Sequence, residues 1–233
     1  MKLYFVIFLA GLATVSIASP TTLEARVSHS VGVARDNSSG EISYIEQHQY
    51  LLDGAHLVTY FDPVGNVMTK RSITYPSLPQ HPEIEEIDFK RKVKLNMYAV
   101  NDILHTRRSL GDEVESFELP LDSTTIVDAG FDAFVRSNWE NFQVGKPQTY
   151  KFAIAGQERL LRVSVARQPD DGDLALFVIN PKNFFIGLLL PEIQLWYDRN
   201  RRLSRYNGLT NLDLPDGSSR NVAIEFTHYD RPF

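Results

Sequence analysis

Alternating apolar and polar positions recur over most of the chain and predict short β-strands. The segments "EISYIEQHQYLL" and "HLVTYFD" alternate in this way on either side of Asp53–Gly54, which predicts a β-hairpin. A first strand is expected near residues 26–34, and turn residues 62–66 predict a second hairpin inside "TYFDPVGNVMTKRSITY". Because links this short cannot be parallel crossovers, we expect an antiparallel sheet.

The middle of the chain predicts a connector and then further strands. Residues 76–88 contain three prolines among acidic residues, which indicates a connector rather than a strand. Strands are expected near residues 89–100 and in the short stretch "SFELP". Three more are predicted by "QTYKFAIAG", "RLLRVSVARQ" and "LALFVIN", which tight turns separate.

The stretch "STTIVDAGFDAFVRSNWENFQVGK", residues 123–146, departs from this alternation and predicts one amphipathic helix. Thr125 is expected to be the N-cap, with Asp128 three residues later in the capping-box position. Gly145 and the residues after it are expected to end the helix. On the polar face, Asp132 and Arg136 are spaced to form an ion pair across one turn.

The apolar face of this helix has two interpretations that the sequence leaves open. In the first, its aromatic side chains fill the core between the helix and one face of a curved sheet. In the second, part of the face lines a cavity for an apolar ligand. The ligand-lining candidates on the helix are Phe131, Phe134, Trp139 and Phe142.

A second apolar segment, "NPKNFFIGLLLPE", occupies residues 180–192 and does not alternate. A strand with one solvated face would alternate, so this run is expected in the core, in a cavity wall or against lipid. The sequence also allows a second short apolar helix here, which at ~12 Å could not cross a bilayer. The ligand-lining candidates in this segment are Phe184, Phe185 and Leu189.

Two hairpins carry a similar pattern of residues. "TYFDPVGNVMTKR" begins at Thr59 and "LWYDRNRRLSRYN" begins at Leu195, and both predict a strand, two aromatic residues, an aspartate, a turn and a second strand. This pattern indicates either a duplicated binding unit or two antiparallel hairpins that have converged on the same turn.

The N-terminus predicts export from the cytoplasm. Met1–Lys2 precedes an apolar run that ends near Ile17, and small residues at 16 and 18 form a cleavage site, as in a secretory signal peptide. A membrane anchor is the alternative, but the run is shorter than the ~20 residues that a spanning helix needs. Residues 1–18 are therefore predicted to be a signal peptide, and residues 19–233 a single β-rich domain in the periplasm or outside the cell.

Composition and motifs narrow the function without naming a reaction. The net charge of −5 argues against a nucleic-acid partner, and the absence of cysteine excludes disulfides. The sequence contains no HExxH, GxSxG, SxxK or phosphate-loop motif, so no catalytic residue, metal or cofactor is predicted. Four arginines between positions 199 and 205 would suit peripheral contact with anionic lipid, but a solvated turn is the favoured explanation.

Three segments carry a resemblance to known proteins: "IVDAGFDAFVRSNWENFQVG", the apolar run before "IQLWYD", and "RRLSRYNGLTNL". They resemble an uncharacterised family of exported bacterial proteins, and no activity comes with that resemblance. More remotely, the predicted architecture is similar to the half-barrel of periplasmic lipoprotein carriers. That similarity implies acyl-chain binding between a sheet and its helix, but no site residue can be transferred.

The sequence therefore predicts a mainly β protein with a curved, half-barrel-like antiparallel sheet and one amphipathic helix on its concave face. The favoured function is non-catalytic binding of a hydrophobic ligand, either lipid or an acylated protein. A structural or adaptor protein of the cell envelope is the second possibility. A hydrolase without a recognisable motif is the third.

Overall fold

The computed structural model describes residues 28–182, 192–210, 212 and 220–229. Within them lie fifteen strands, one α-helix, α1 (Gly130–Ser137), and one 3-10 turn at Trp139–Asn141. The strands are β1 (Ser28–Asp36), β2 (Ile42–Tyr50), β3 (His56–Phe61), β4 (Val67–Thr74), β5 (Glu83–Asp88), β6 (Val93–Val100), β7 (Ile103–Leu110), β8 (Glu113–Pro120), β9 (Thr125–Val127), β10 (Gln148–Ala153), β11 (Leu160–Arg167), β12 (Ala175–Pro181), β13 (Ile193–Tyr197), β14 (Leu203–Leu209) and β15 (Asn221–Tyr229).

All fifteen strands belong to one curved sheet, which confirms the prediction of a mainly β protein. The order runs from β8 back to β1, continues through β15, and then descends to β9. Every pairing is antiparallel except that of β9 with β10, which is parallel. The first and last strands therefore pair at the centre, and β8 and β9 form the two unpaired edges.

Chain connectivity explains why this sheet curls. Fifteen strands laid flat would span roughly 65–70 Å. The two edge strands, however, are joined by residues 121–124 alone, which reach at most about 18 Å. The edges must therefore approach each other although they do not pair.

One face of the sheet carries the core because side chains alternate along each strand. Strand β6 shows the pattern clearly, with Val93, Leu95 and Met97 buried and the residues between them exposed. The buried residues form three clusters, one of which unites α1 with β10–β13. In a second cluster, Val127 and Ala153 pack with residues of β5–β8. The β9–β10 corner thus contacts both arms of the sheet.

The two similar hairpins share one turn geometry. The Asp62 amide donates to the Asn66 carbonyl at 2.9 Å, and its Oδ1 accepts the Asn66 amide at 2.8 Å. Asp198 forms the same two bonds with Arg202, each at 2.9 Å. A β-bulge lies at the aligned position in both, between Tyr60 and Phe61 and between Trp196 and Tyr197. The likeness therefore extends from sequence to backbone.

The prediction that the helix begins at Thr125 is wrong. Thr125–Val127 form the edge strand β9, and the Thr125 side chain bonds to Asp122 instead of capping a helix. Asp128 adopts a positive φ of 34°, and α1 begins only at Gly130. A side chain at Gly130 would place its Cβ 2.6 Å from Pro82, so only glycine fits this contact. The helix also ends earlier than expected, at Ser137.

Two strand predictions were also incomplete. The proline-rich connector ends earlier than expected. Residues 83–88 form β5, an acidic strand that pairs with β4 and β6. The polar stretch at residues 103–110 forms β7, which was not predicted. The stretch "SFELP" belongs to a longer strand, β8, that pairs along the whole of β7.

Several predictions concern residues outside the described part of the chain. They are the signal peptide at residues 1–18 and the second apolar segment around Phe184–Leu190, with its short helix. No helix among the described residues is long and apolar enough to span a membrane.

A buried ion cluster fastens the β9–α1 corner to the sheet. The Arg71 guanidinium contacts Glu86 on β5 at 2.5 Å and Asp128 at 3.0 Å, and only 4% of its side chain is exposed. Asp128 also accepts the amide of Ala155 at 3.1 Å. Burial alone would lower the pKa of Arg71, but Glu86, Tyr60 and Asp128 outweigh it and raise that pKa well above its usual range. Arg71 is therefore charged in the folded protein.

Replacing Arg71 should test how much this cluster stabilises the fold. In Arg71→Met two carboxylates lose their buried cation, and we expect the free energy of unfolding to fall by about 3–5 kcal/mol. Arg199→Met is the matched control, because that arginine is 80% exposed in its pair with Asp173 and such pairs contribute about 0–1 kcal/mol. Urea unfolding of both variants measures the two losses in free energy of unfolding. Equal losses would contradict a special role for Arg71.

Candidate functional site

The aromatic residues predicted on the helix come together in one cluster. Phe131 and Phe134 lie on α1, Trp139 lies in the 3-10 turn and Phe142 follows it in an extended conformation. Phe134 meets Tyr150 edge-to-face with ring centroids 4.9 Å apart, and Phe142 meets Phe177 in the same way at 5.3 Å. The helix ends before Trp139, yet the cluster continues.

Burial assigns three of these rings to the hydrophobic core. Phe131, Phe134 and Phe142 are 3–6% exposed, so a ligand would have to displace protein atoms to reach them. Trp139 lies at the rim, where Arg167 and Arg201 place their guanidinium carbons 5.5 and 5.1 Å from its ring centre. Among the described candidates, only Trp139 is partly accessible. Phe184, Phe185 and Leu189 lie outside the described residues, and the ligand-lining role of all seven stays a prediction.

A group of partly buried rings lies on the core face of β2, β3 and β15 and directly after β4. We call it the aromatic strip, and its members are His48, Tyr50, His56, Tyr75 and Phe226. Tyr50 stacks on His56 with centroids 4.3 Å apart, His56 stacks on His48 at 5.0 Å, and Phe226 meets His48 edge-to-face at 5.7 Å. Unlike Phe131, Phe134 and Phe142, these residues are incompletely covered.

A row of three ionisable groups in contact runs through the strip, and its two histidines are hydrogen-bonded to each other. Glu46, which is 3% exposed, lies 3.3 Å from His48 Nε2, and His48 Nδ1 lies 2.8 Å from His56 Nε2. Burial, followed by the nearby His48 and Arg136, holds the pKa of His56 well below its usual 6.5. His56 is therefore neutral at pH 7. The two imidazoles share one proton between their facing nitrogens, and the row connects the strip to a buried carboxylate.

Helix α1 places an ion pair against the strip. Asp132 and Arg136 pair at 2.8 Å, as their spacing predicted. Burial first, and then the Asp132 carboxylate, raise the pKa of Tyr75 to about 12 and hold that of Tyr197 well above its usual 10. The buried Tyr197 hydroxyl lies near Asp132, and Oδ1 of Asp132 is also buried. Asp132 is thus less solvated than its position on a polar helix face indicated.

His48 and His56 were not predicted as site residues because their spacing fits no metal-binding or catalytic motif. The two histidines are eight positions apart and meet only across the β2–β3 hairpin, in which Tyr50 pairs with His56. A usable signal was present, since "EQHQY" places Glu46, His48 and Tyr50 on one side of a strand. Among the residues that the structure describes, no three His, Asp or Glu side chains are grouped as metal ligands.

No family model, curated protein or solved structure matches this chain. The two resemblances seen in the sequence therefore stay predictions, and function has to be argued from the geometry above.

Truncation of a helix ring should test whether the aromatic cluster is core. We expect Phe134→Ala to lower the free energy of unfolding by about 3–5 kcal/mol, because it removes a buried ring and leaves a cavity. Phe89→Ala is the control, since Phe89 is 50% exposed and surface changes stay within about 0.5 kcal/mol. Urea unfolding measures both. A small loss in Phe134→Ala would show that the ring is dispensable for the core.

The pKa of His56 predicts a stability that depends on pH. Below pH 6.5 the unfolded chain takes up a proton at this histidine that the folded chain refuses, so stability should fall as the pH falls from 7 to 5. Asp36, whose pKa hydrogen bonds lower from 3.8 to about 2, adds a similar loss only below about pH 4. Thermal melts should show a shallower decline in His56→Gln than in wild type over pH 7 to 5. Parallel declines would contradict the assignment.

Proposed function

We propose that this chain is an exported, non-catalytic binding protein whose ligand is a hydrophobic molecule or an acylated partner. The observation that carries this proposal is the aromatic strip. Its rings are continuous with the hydrophobic core but incompletely covered, which is the property expected of a surface that an apolar ligand completes.

The placement of α1 supports the same proposal. We propose that the helix lies on the concave face of the curved sheet, as in half-barrel carriers, with Phe131 and Phe134 turned into the core. Asp132 and Arg136 then border the strip, which is consistent with their influence on the pKa values of Tyr50 and Tyr75. An aliphatic chain would enter between the helix edge and β2–β4.

The chemistry of the strip favours an amphipathic ligand over a purely apolar one. Ring faces such as those of Tyr50 and Tyr75 accept an aliphatic chain. The Arg136 side chain is 44% exposed and offers a cation to an acidic headgroup. Because Asp132 already engages Arg136 at 2.8 Å, the headgroup would compete for it, and we expect a micromolar rather than a nanomolar dissociation constant.

Two alternatives rest on other observations. The packed rings of Phe131, Phe134 and Phe142 favour a structural or adaptor protein of the envelope, in which the same segments serve only as core. The Glu46–His48–His56 row favours a hydrolase, since a neutral histidine backed by a carboxylate can act as a general base.

Fatty-acid binding should decide between a carrier and a scaffold. With dodecanoate at a hundredfold excess over its dissociation constant, we expect wild-type stability to rise by ~2.7 kcal/mol in thermal melts. Phe226→Ser should weaken this response, because it removes apolar surface from the strip. Tyr98→Ser is the control, since Tyr98 is 43% exposed on the opposite face of the sheet. A wild-type midpoint that ignores the fatty acid would end the carrier proposal.

A further inference from the structure

A cleft of about 160 Å³ opens at the ends of β2–β4 that lie opposite to the aromatic strip. Three hairpin turns lie at this end, after β1, β3 and β5, and each begins with an aspartate: Asp36, Asp62 and Asp88. The cleft lies between the second and third turns on one side and Thr210, Leu212 and Arg220 on the other. None of the residues predicted from sequence to line a ligand site borders it.

The aspartate side chains of these turns accept hydrogen bonds from backbone amides of their own turns. Asp62 Oδ1 accepts the amides of Val64 and Asn66, and Asp88 Oδ1 accepts the amide of Arg91 at 2.8 Å. Hydrogen bonds from Asn66 lower the pKa of Asp62, so its charge is already satisfied locally. The acids therefore act as turn-forming groups, and two of them, Asp36 and Asp62, make only long ion pairs with Arg220 and Lys90.

Two of those cations form only long ion pairs with the acids that the structure describes. Lys90 Nζ lies 3.8 Å from Asp62 Oδ2, and Arg220 Nε lies 3.9 Å from Asp36 Oδ2, both beyond hydrogen-bond length. Their side chains are 46% and 49% exposed. Arg91, the third cation of the lining, bonds Asp88 at 2.7 Å and is mostly buried. Lys90 and Arg220 can thus turn toward an anion at little cost.

The cleft also has an apolar part, which lies beside the hydroxyls of Ser43, Thr69 and Thr210. Met68 and Leu212 line it, together with the ring of Tyr44, which is 2% exposed. The Tyr44 hydroxyl is buried near Thr210, but it meets no well-aligned hydrogen-bond partner among the described residues. Burial raises the pKa of Tyr44 well above its usual 10, so the hydroxyl keeps its proton and can donate it.

We propose that this cleft binds a small organic acid with a compact apolar body, such as an aryl or short acyl carboxylate. The apolar body would contact Met68 and Leu212, and the carboxylate would meet Lys90 and Arg220. The size agrees, because a cavity of about 150 Å³ holds one benzene ring. No residue of the aromatic strip lines this cleft, so the two sites are distinct.

Titration of the ¹⁵N-labelled protein with sodium benzoate tests the proposal. We expect saturable amide shifts at residues of the cleft, with at least tenfold weaker binding in the double variant Lys90→Gln, Arg220→Gln. Lys94→Gln is the control, since Lys94 is exposed on the opposite face of the neighbouring strand β6. Binding to wild type should weaken in 0.5 M salt, because salt screens charge pairs.

Two further measurements keep the proposal falsifiable if the double variant does not fold. Benzyl alcohol, which has the ring without the charge, should bind wild type at least tenfold more weakly than benzoate. Tyr44→Phe should keep the fold, since it removes only the hydroxyl, and should weaken benzoate binding. Absence of saturable shifts, or equal binding of benzoate and benzyl alcohol, would overturn the proposal. If inorganic phosphate binds and benzoate does not, the proposal is also overturned, because the site then recognises negative charge and not an apolar body.

Discussion

The ion cluster of Arg71, Glu86 and Asp128 holds together two parts of the sheet that are far apart in strand order. Arg71 and Glu86 face each other on β4 and β5, whereas Asp128 follows the edge strand β9. A charged guanidinium in the core is costly unless its partners are present, so the β9–α1 corner is fixed to this point. The position of α1, and with it the Asp132–Arg136 pair beside the aromatic strip, depends on that attachment.

The same attachment separates two roles for aromatic residues. Rings on α1, such as Phe134, are buried, whereas rings on β2 and β3, such as Tyr50 and His56, are only partly buried. The helix is only eight residues long, so in the placement that we propose it would cover a small part of the core face. A longer helix that began at Thr125 would cover more of it. In that placement the short helix leaves the surface on which the proposed binding function rests.

Local pattern predicted the strands well because alternation and turn chemistry act over a few residues. The Asp53–Gly54 hairpin and the paired Asp62 and Asp198 turns are examples. The start of the helix was not predictable in this way. Thr125 and Asp128 have the spacing of a capping box, but Arg71 and the Ala155 amide bind Asp128 instead, and both are distant in sequence. Strand β7 was missed because "ILHTRRSL" is mostly polar and buries few of its side chains.

The candidate sites depend even more on distant contacts. His48 and His56 become one unit only through hairpin register, and the cleft near Tyr44 requires β2, β4 and the approach to β15 together. The central pairing of β1 with β15 has a further consequence. His29 pairs with Tyr229, two hundred residues away, so a chain made from its N-terminus cannot complete the sheet until its last strand has emerged. Contacts of such long sequence separation slow folding. The chain should therefore stay unfolded for longer than a protein of the same size built from local hairpins, which would leave time for the export that we propose.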